Sequence, residues 1–454
     1  MSKLRLAIVG AGPAGIYAAD LLIKSELRNF DVSIDLFDLL PAPYGLVRYG
    51  VAPDHPRIKG IIRALYEVLD RGDIRFFGNV KYGEDLTLDD LKQHYNAVIF
   101  ATGAIRDADL NIPGIDLDGS YGAADFVNWY DAHPDFPRHW PLNAKEVAVI
   151  GNGNVALDVA RVLAKPADDM LATDIPANVY RGLAASPVTD VHVFGRRGPA
   201  QVKFTPLELR EACHVAGVDA IVYDEDFQYD AGSQAAIENN NQTRVMVSTL
   251  EGLRGKGLTG APRRLHLHFL STPIEVLSTD GKVSGLRIER NKLDGTGGVI
   301  GTGETRDFSV QAVYRAVGYF GSPLADLPFD NRLGVIPNIG GRVVHSGDDT
   351  KPIPGVYATG WIKRGPVGLI GHTKSDALET IGNLIVDRDT WWTPTHPEEA
   401  SVIELLNERD VKFIDWNGWL KIDAEEQRLG EASGRERVKL VDRPDFEKLA
   451  GDTK

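Results

Sequence analysis

Short apolar runs of strand length alternate along the chain with stretches of helical period, and glycine-rich turns join them at three places. Leu4–Val9 is mostly apolar and reads as a strand, and Ile16, Ala19 and Leu22 share one face of a following helix. Val32–Phe37 alternates in period two and ends at Asp38. Leu39–Pro56 is rich in Pro and Gly yet carries Leu46, Val47 and Val51, so it reads as an ordered loop. A helix over Ile58–Leu69 and strands over Ile74–Phe77 and Ala97–Phe100 follow, the last running into Ala101-Thr102-Gly103. The strand–turn–helix pattern restarts at Val147–Leu163. An insertion of loop and short-helix character, Lys165–Asp190, precedes the strand Val191–Phe194. Thr205–Val215 reads as a helix, Thr243–Arg264 as basic and turn-rich, and Leu265–Phe269 as one of several strands in 217–320. Late in the chain, the strand Val356–Thr359 ends at Gly360, and a helix starts near Thr373–Asp376 and runs to Val386. The tail Glu398–Lys454 reads as a helix, a Trp-rich strand region around Trp416–Leu420 and charged segments, all structural cover.

The turns carry the chemistry. Gly10, Gly12 and Gly15 spell G-x-G-x-x-G between strand and helix. The first glycine permits the tight turn, the second admits a pyrophosphate to the backbone, and the third lets helix and strand pack closely. The helix N-terminus adds free N–H groups and a partial positive charge. Asp38 then stands where a carboxylate accepts bonds from an adenosine ribose. Gly151, Gly153 and Ala156 spell G-x-G-x-x-A, but the strand after this turn ends in Gly195-Arg196-Arg197, with no acid. Guanidinium groups bond a 2′-phosphate that a carboxylate would repel, so this half prefers NADP(H) to NAD(H). The third turn, after Gly360, is what a strand returning to the first domain of a two-nucleotide flavoprotein requires. Its helix N-terminus would face the flavin pyrimidine. The expected fold is α/β, with two nested Rossmann-like dinucleotide-binding domains. Residues 1–106 and 321–454 form an FAD-binding domain, and 107–320 form an inserted NADP-binding domain. Two sequential Rossmann domains would leave the Gly360 segment unexplained.

Composition narrows the chemistry further. Acidic residues outnumber Lys plus Arg by 64 to 50 among 454 residues, which disfavours a general nucleic-acid binder. Cys213 is the sole cysteine. This excludes an internal disulfide, a redox Cys pair and a protein-held iron–sulfur cluster. No run is long and apolar enough to span a membrane. A first strand starting at residue 4 leaves no room for a leader, so the expected location is cytoplasmic, or the mitochondrial matrix for a processed form. His266 and His268 lie two apart on a strand, with no third ligand at a telling spacing. They read as an exposed strand face and not as a metal site.

Taken together, AIVGAGPAGIYAA, GLVRYGVAPDHP, ATGA with NIPG, VIGNGNVALDVAR, GRRGP, LELRE, RAVGY and GWIKRGPVGLIG resemble one family. This is the adrenodoxin-reductase type of ferredoxin–NADP reductase with its bacterial homologues. The likeness runs from residue 4 to about residue 443 and includes the tail KIDAEEQRLGEASGRERVKLVD. Trp361 is specific to it, since most two-nucleotide flavoproteins have Asp after that glycine. One departure is in the loop Ile105–Asp109, which does not carry Arg at the position where some relatives do near NADP, though Arg106 is close to it. The resemblance implies FAD contacts at Ala14, Asp38, Leu46, Val80, Trp361 and the Gly368-Leu369-Ile370 backbone. It implies NADP contacts at Asn154, Val155, Ala156, Leu157, Arg196, Arg197 and Glu208. His55, Glu211 and Trp361 would lie near the nicotinamide. The implied activity is hydride transfer between NADPH and FAD, with single electrons passed to a ferredoxin. Arg210, Arg263 and Arg264 are candidates for docking that acidic partner. A sister oxidoreductase using a quinone or another small acceptor, and a nucleotide sensor that does not turn over, are the alternatives.

Overall fold

The computed structural model describes residues 3–345, 348–367 and 370–451. The chain forms two compact units, one of Met1–Arg106, Asp131–Pro134 and Tyr319–Lys454, the other of Asp107–Tyr130 and Asp135–Gly318. Asp131–Pro134 joins the first unit although its sequence neighbours join the second, and no local pattern announces this.

The first unit is built on a seven-stranded sheet. Its order is Asn338–Ile339, Arg342–His345, Asp348–Ala358, Ala97–Phe100, Lys3–Val9, Asp31–Phe37 and Ile74–Phe77. The last five strands are mutually parallel. Period-two alternation sends Leu4, Leu6 and Ile8 to a core shared with Ile16, Ala19 and Leu22 of the helix Pro13–Lys24, and with Ala377, Ile381 and Leu384 of Ile370–Val386. Ala7 and Val9 enter a second core on the opposite face, with Val98, Phe100, Leu91, Val402 and Leu406. Helices therefore cover both faces of the parallel strands, as such sheets require. The first strand lies between one neighbour later in the chain and one still later, so connections leave in opposite directions from its carboxyl end. Ligands bind at such a crevice.

Four expectations for this unit need correction. The helix over Ile58–Leu69 is two helices, Pro56–Lys59 and Ile61–Leu69, broken at Gly60. A short helix, Trp361–Arg364, occupies part of the third turn, and the next helix starts at Ile370, ahead of Thr373. The tail around Trp416–Leu420 is not a strand but the start of the helix Trp416–Glu431. Trp419 and Ile422 are buried three residues apart, and the Asp415 carboxylate accepts the Gly418 N–H at 2.7 Å as its cap.

The second unit has a six-stranded parallel sheet ordered Ser120–Gly122, Ala312–Arg315, Glu146–Ile150, Asp190–Phe194, Arg263–His268 and Val218–Val222. Three antiparallel strands, Ser271–Thr279, Lys282–Leu293 and Val299–Phe308, cover one face by packing Val276, Leu286 and Ile288 on Ile150, Phe194 and Val313. The first part of the segment expected to be turn-rich is instead the helix Asn241–Glu251, capped by Asn240.

His266 and His268 also depart from expectation, since they are buried and His192 on the neighbouring strand joins them. The ring nitrogens His192 Nδ1 and His268 Nε2 lie 3.0 Å apart. His266 bonds Tyr223 OH through Nδ1 and Asp190 through Nε2, each at 2.8 Å. The third imidazole comes from another strand, so spacing along the chain does not reveal it. These nitrogens are engaged with one another and with Asp190 and Tyr223, and Asp190 in turn holds Arg264. We assign no metal there. Cys213 ends the helix Pro206–Cys213, and burial pushes its thiol up to about 12.

Candidate functional site: two glycine turns

At the first turn, glycine is required by contact. A Cβ on Gly10 would lie 2.4 Å from the Ala101 carbonyl oxygen, and one on Gly15 would lie 2.0 Å from the Gly10 oxygen. A Cβ on Gly12 would meet only the Gly45 Cα, at 3.8 Å, an ordinary contact. Gly12 caps the helix Pro13–Lys24 without any side-chain bond. The first N–H groups of that helix therefore have no side-chain cap, whereas Thr87 caps Leu88–His94 fully. An anion fits this cradle.

Asp38 lies within reach of the turn. Its carboxylate accepts the Ala11 N–H at 2.7 Å and the Leu40 N–H at 2.9 Å. Burial pushes its pKa up to about 6, against the pull of those two N–H groups and of Arg443. Val80 is buried beside it and donates its N–H to the Asp38 carbonyl at 2.9 Å. Leu46 opens the short helix Leu46–Tyr49 and is half-buried.

The third turn comes back to the first. Gly360 has φ +75°, and a Cβ there would lie 2.6 Å from that of Ala14, so Ala14 and the Gly360-Trp361 backbone are neighbours. Asp376, which no sequence signal marked, fixes this turn. It accepts the Gly360 N–H at 2.6 Å and pairs with Lys363 at 3.0 Å. Trp361 starts the next short helix, half-buried. Gly368 and Leu369 lie outside the described residues, and Ile370 is the first residue of Ile370–Val386. His55 is buried and precedes Pro56–Lys59, and its carbonyl accepts the N–H groups of Ile58 and Lys59.

The second turn repeats the plan with changes. A Cβ on Gly151 would lie 2.2 Å from the Ala316 oxygen, while one on Gly153 would have nothing within 4 Å. Gly153 also caps its helix, Asn154–Ala164, without a side-chain bond. Asn154 accepts the Thr205 N–H through Oδ1 at 2.8 Å. Ala156 and Leu157 are fully buried beneath the helix and Val155 is half-buried, so Ala156 and Leu157 offer a ligand backbone only.

Arg196 and Arg197 follow the strand Asp190–Phe194. Their carbonyls accept the Asn291 side-chain amide at 2.7 Å and the Leu270 N–H at 3.1 Å. The loop is thus held by its backbone, and neither guanidinium has a side-chain partner among the described residues. Glu208 is buried near Arg161, at 3.4 Å, and Arg161 also reaches Asp158 at 2.8 Å. Glu211 is half-buried on the same helix as Glu208. The docking candidates fare differently from one another. Arg264 is held by both oxygens of Asp190, Arg263 donates to the Ala164 and Lys165 carbonyls, and exposed Arg210 folds onto the Pro206 carbonyl.

Two glycine turns whose helices lack a side-chain cap, one beside a buried acid and one beside two arginines, have the form of a pair of dinucleotide-binding sites, the class of site that flavin- and pyridine-nucleotide-dependent oxidoreductases use. The family profile described as pyridine nucleotide-disulphide oxidoreductase matches residues 4–185. The chain is 41% identical to the NADPH-ferredoxin reductase FprA of Mycobacterium tuberculosis, over 97% of this chain and 98% of that one. It is 38% identical to the mitochondrial NADPH:adrenodoxin oxidoreductase of Arabidopsis thaliana, over 96% and 93% respectively. The structure of M. tuberculosis FprA in complex with NADPH matches with a TM-score of 0.89 at 38% identity, covering 99% of this chain and all of that one. The chain belongs to the NADPH–ferredoxin reductase family of the adrenodoxin-oxidoreductase type.

Proposed function

We infer that this protein is an FAD-dependent ferredoxin–NADP reductase, with an iron–sulfur carrier as the partner for its electrons. The full-length likeness to FprA, with both glycine turns in place, carries the reading. FAD, when bound, takes up two electrons together and releases them one at a time. In the first unit, Gly10, Gly12 and Gly15 admit the pyrophosphate, Asp38 holds the ribose, and Ala14, Leu46, Val80 and Trp361 surround the rest. In the second, Gly151, Gly153 and Asn154–Leu157 present backbone to the NADP pyrophosphate, and Arg196 and Arg197 grip the 2′-phosphate. We assign His55, Glu211 and Trp361 to orienting the nicotinamide, and Glu208 to the NADP side.

The partner is an acidic ferredoxin, and the compartment is the cytoplasm or a mitochondrial matrix. Among the described residues no helix is long and apolar enough to cross a membrane. Arg263 and Arg264 are engaged within the second unit, which leaves Arg210 as the docking candidate least tied to other chain segments. The test is cytochrome c reduction by NADPH, with and without added ferredoxin. Strong stimulation by ferredoxin is expected. Flavin reduction without stimulation by any ferredoxin would favour a small acceptor instead.

A further inference from the structure

Behind the loop Leu39–Pro56 lies a buried ionic cluster that none of the roles above uses. Arg48, in the helix Leu46–Tyr49, donates from Nη1 and Nη2 to the two carboxylate oxygens of Glu426, at 2.9 and 2.5 Å. Its guanidinium stands 5.1 Å from the ring centres of both Tyr49 and Trp419. Glu426 also accepts the Leu440 N–H at 2.9 Å and an Arg437 N–H at 3.3 Å. Lys439 donates to the Arg48 carbonyl at 2.7 Å and reaches Asp131 Oδ1 at 3.0 Å, which Lys59 also meets at 3.1 Å. The side chains of Arg48, Glu426, Lys439 and Asp131 are at most 3% exposed.

Removing so many charges from water is costly, and apolar side chains of equal volume would stabilise the fold as well or better. The cluster therefore calls for a reason other than stability, and its position supplies one. Gly45 immediately precedes the helix that holds Arg48. It has φ +49°, and a Cβ on it would lie 3.0 Å from the Gly12 Cα. Tyr44 donates its N–H to the Ala11 carbonyl at 2.8 Å. Tyr44 and Gly45 thus lie backbone to backbone on the first glycine turn, and the helix Leu46–Tyr49 continues from them as the rest of a wall. Glu426 grips that wall at Arg48, and Lys439 caps one of its carbonyls.

We propose that the tail segment 426–440 is a positioning element of the FAD site. Through Glu426 and Lys439 it clamps the wall Gly45–Tyr49 against Gly12, so that docking of the tail and binding of FAD form one coupled equilibrium. The proposal rests on the first glycine turn being the FAD site. Linkage makes the coupling reciprocal: the factor by which a released tail weakens FAD is the factor by which absent FAD loosens the tail.

Two measurements on the full chain test this. FAD titration of apoprotein, read by flavin fluorescence, compares wild type with Lys439→Met, Glu426→Gln and Lys439→Arg. Lys439→Met and Glu426→Gln are expected to weaken FAD at least tenfold, and Lys439→Arg to recover part of the loss. Glu431 and Glu436 are exposed between the two anchors, so a Glu-specific protease reads tail docking in the wild type. FAD is expected to slow cleavage there by a factor comparable to the affinity loss. Far-UV circular dichroism and NADP+ binding show whether each variant is folded, and if Lys439→Met is not, the wild-type proteolysis decides alone. Unchanged FAD affinity in folded Lys439→Met, or cleavage indifferent to FAD, overturns the clamp but leaves the FAD site standing. Wild-type apoprotein that does not take up FAD at all overturns both.

Discussion

The turn Gly10–Gly15 follows one parallel strand and has the acid ending the next strand beside it. The turn Gly151–Ala156 follows an equivalent strand and has Arg196 and Arg197 at the corresponding end. Both helices start without a side-chain cap, so each turn presents the same free N–H groups. The charged halves differ in sign and also in how they are held. Asp38 is buried and accepts two backbone N–H groups, so its carboxylate is held in place. Arg196 is exposed, and only the main chain of its loop is tied down. A fixed, buried acceptor suits a group that stays. Guanidiniums without a side-chain partner among the described residues suit one that arrives, is read by its extra phosphate and leaves.

The sharpest way to break this comparison is at the third glycine. Gly15→Ala puts a methyl 2.0 Å from the Gly10 oxygen. We expect a loss of about 3 kcal/mol or more from overpacking, with protein purified largely free of flavin; the flavin-to-protein absorbance ratio reads this directly. Next come the arginines, for which each charge-assisted bond to a 2′-phosphate contributes about 1.5–3 kcal/mol. Arg196→Ala or Arg197→Ala should therefore raise the KM for NADPH about tenfold or more and leave that for NADH nearly unchanged. Equal effects on the two cofactors would remove the assignment.

Acid should act on the second unit through its histidines. His192 is held at about 4, by burial first and then by neighbouring His266, with Asp190 opposing. His266 and His268 are likewise lowered, chiefly by burial. The unfolded imidazole titrates near 6.5, so between about pH 6.5 and 4 the unfolded chain binds more protons and stability falls as pH falls. His192 alone should cost about 2 kcal/mol by pH 5. Thermal melts at pH 7.5 and pH 5 should show the loss, and His192→Phe should make it smaller. The smallest effect mirrors the largest. Ala156→Gly should cost only about 0.5–1 kcal/mol, the usual penalty of glycine in a helix, with NADPH affinity little changed.

What could be read in the sequence was local. Both glycine turns, their flanking strands, Asp38 and the arginine pair lie in contiguous segments whose period and residue types carry the information. What could not be read depends on partners far away in the chain. His192 meets His266 only because their strands pair, and the same pairing sets Arg264 beside Asp190. Asp376 fixes the Gly360 turn from a helix with no unusual composition. The misreading at Trp416–Leu420 has a different origin, because tryptophan is enriched in strands and its presence alone suggests one. The spacing of Trp419, Ile422 and Glu426 along one buried face was the better signal.

The lone thiol has a consequence for how such an enzyme wears out. Flavoproteins in general can lose electrons to dioxygen and so form peroxide, which cysteine side chains then meet. Thiolate is the form that peroxide attacks, and a Cys213 thiol pushed up to about 12 is almost wholly protonated at neutral pH. With no second cysteine to pair with, that thiol is a poor entry point for oxidation and cannot close an internal disulfide.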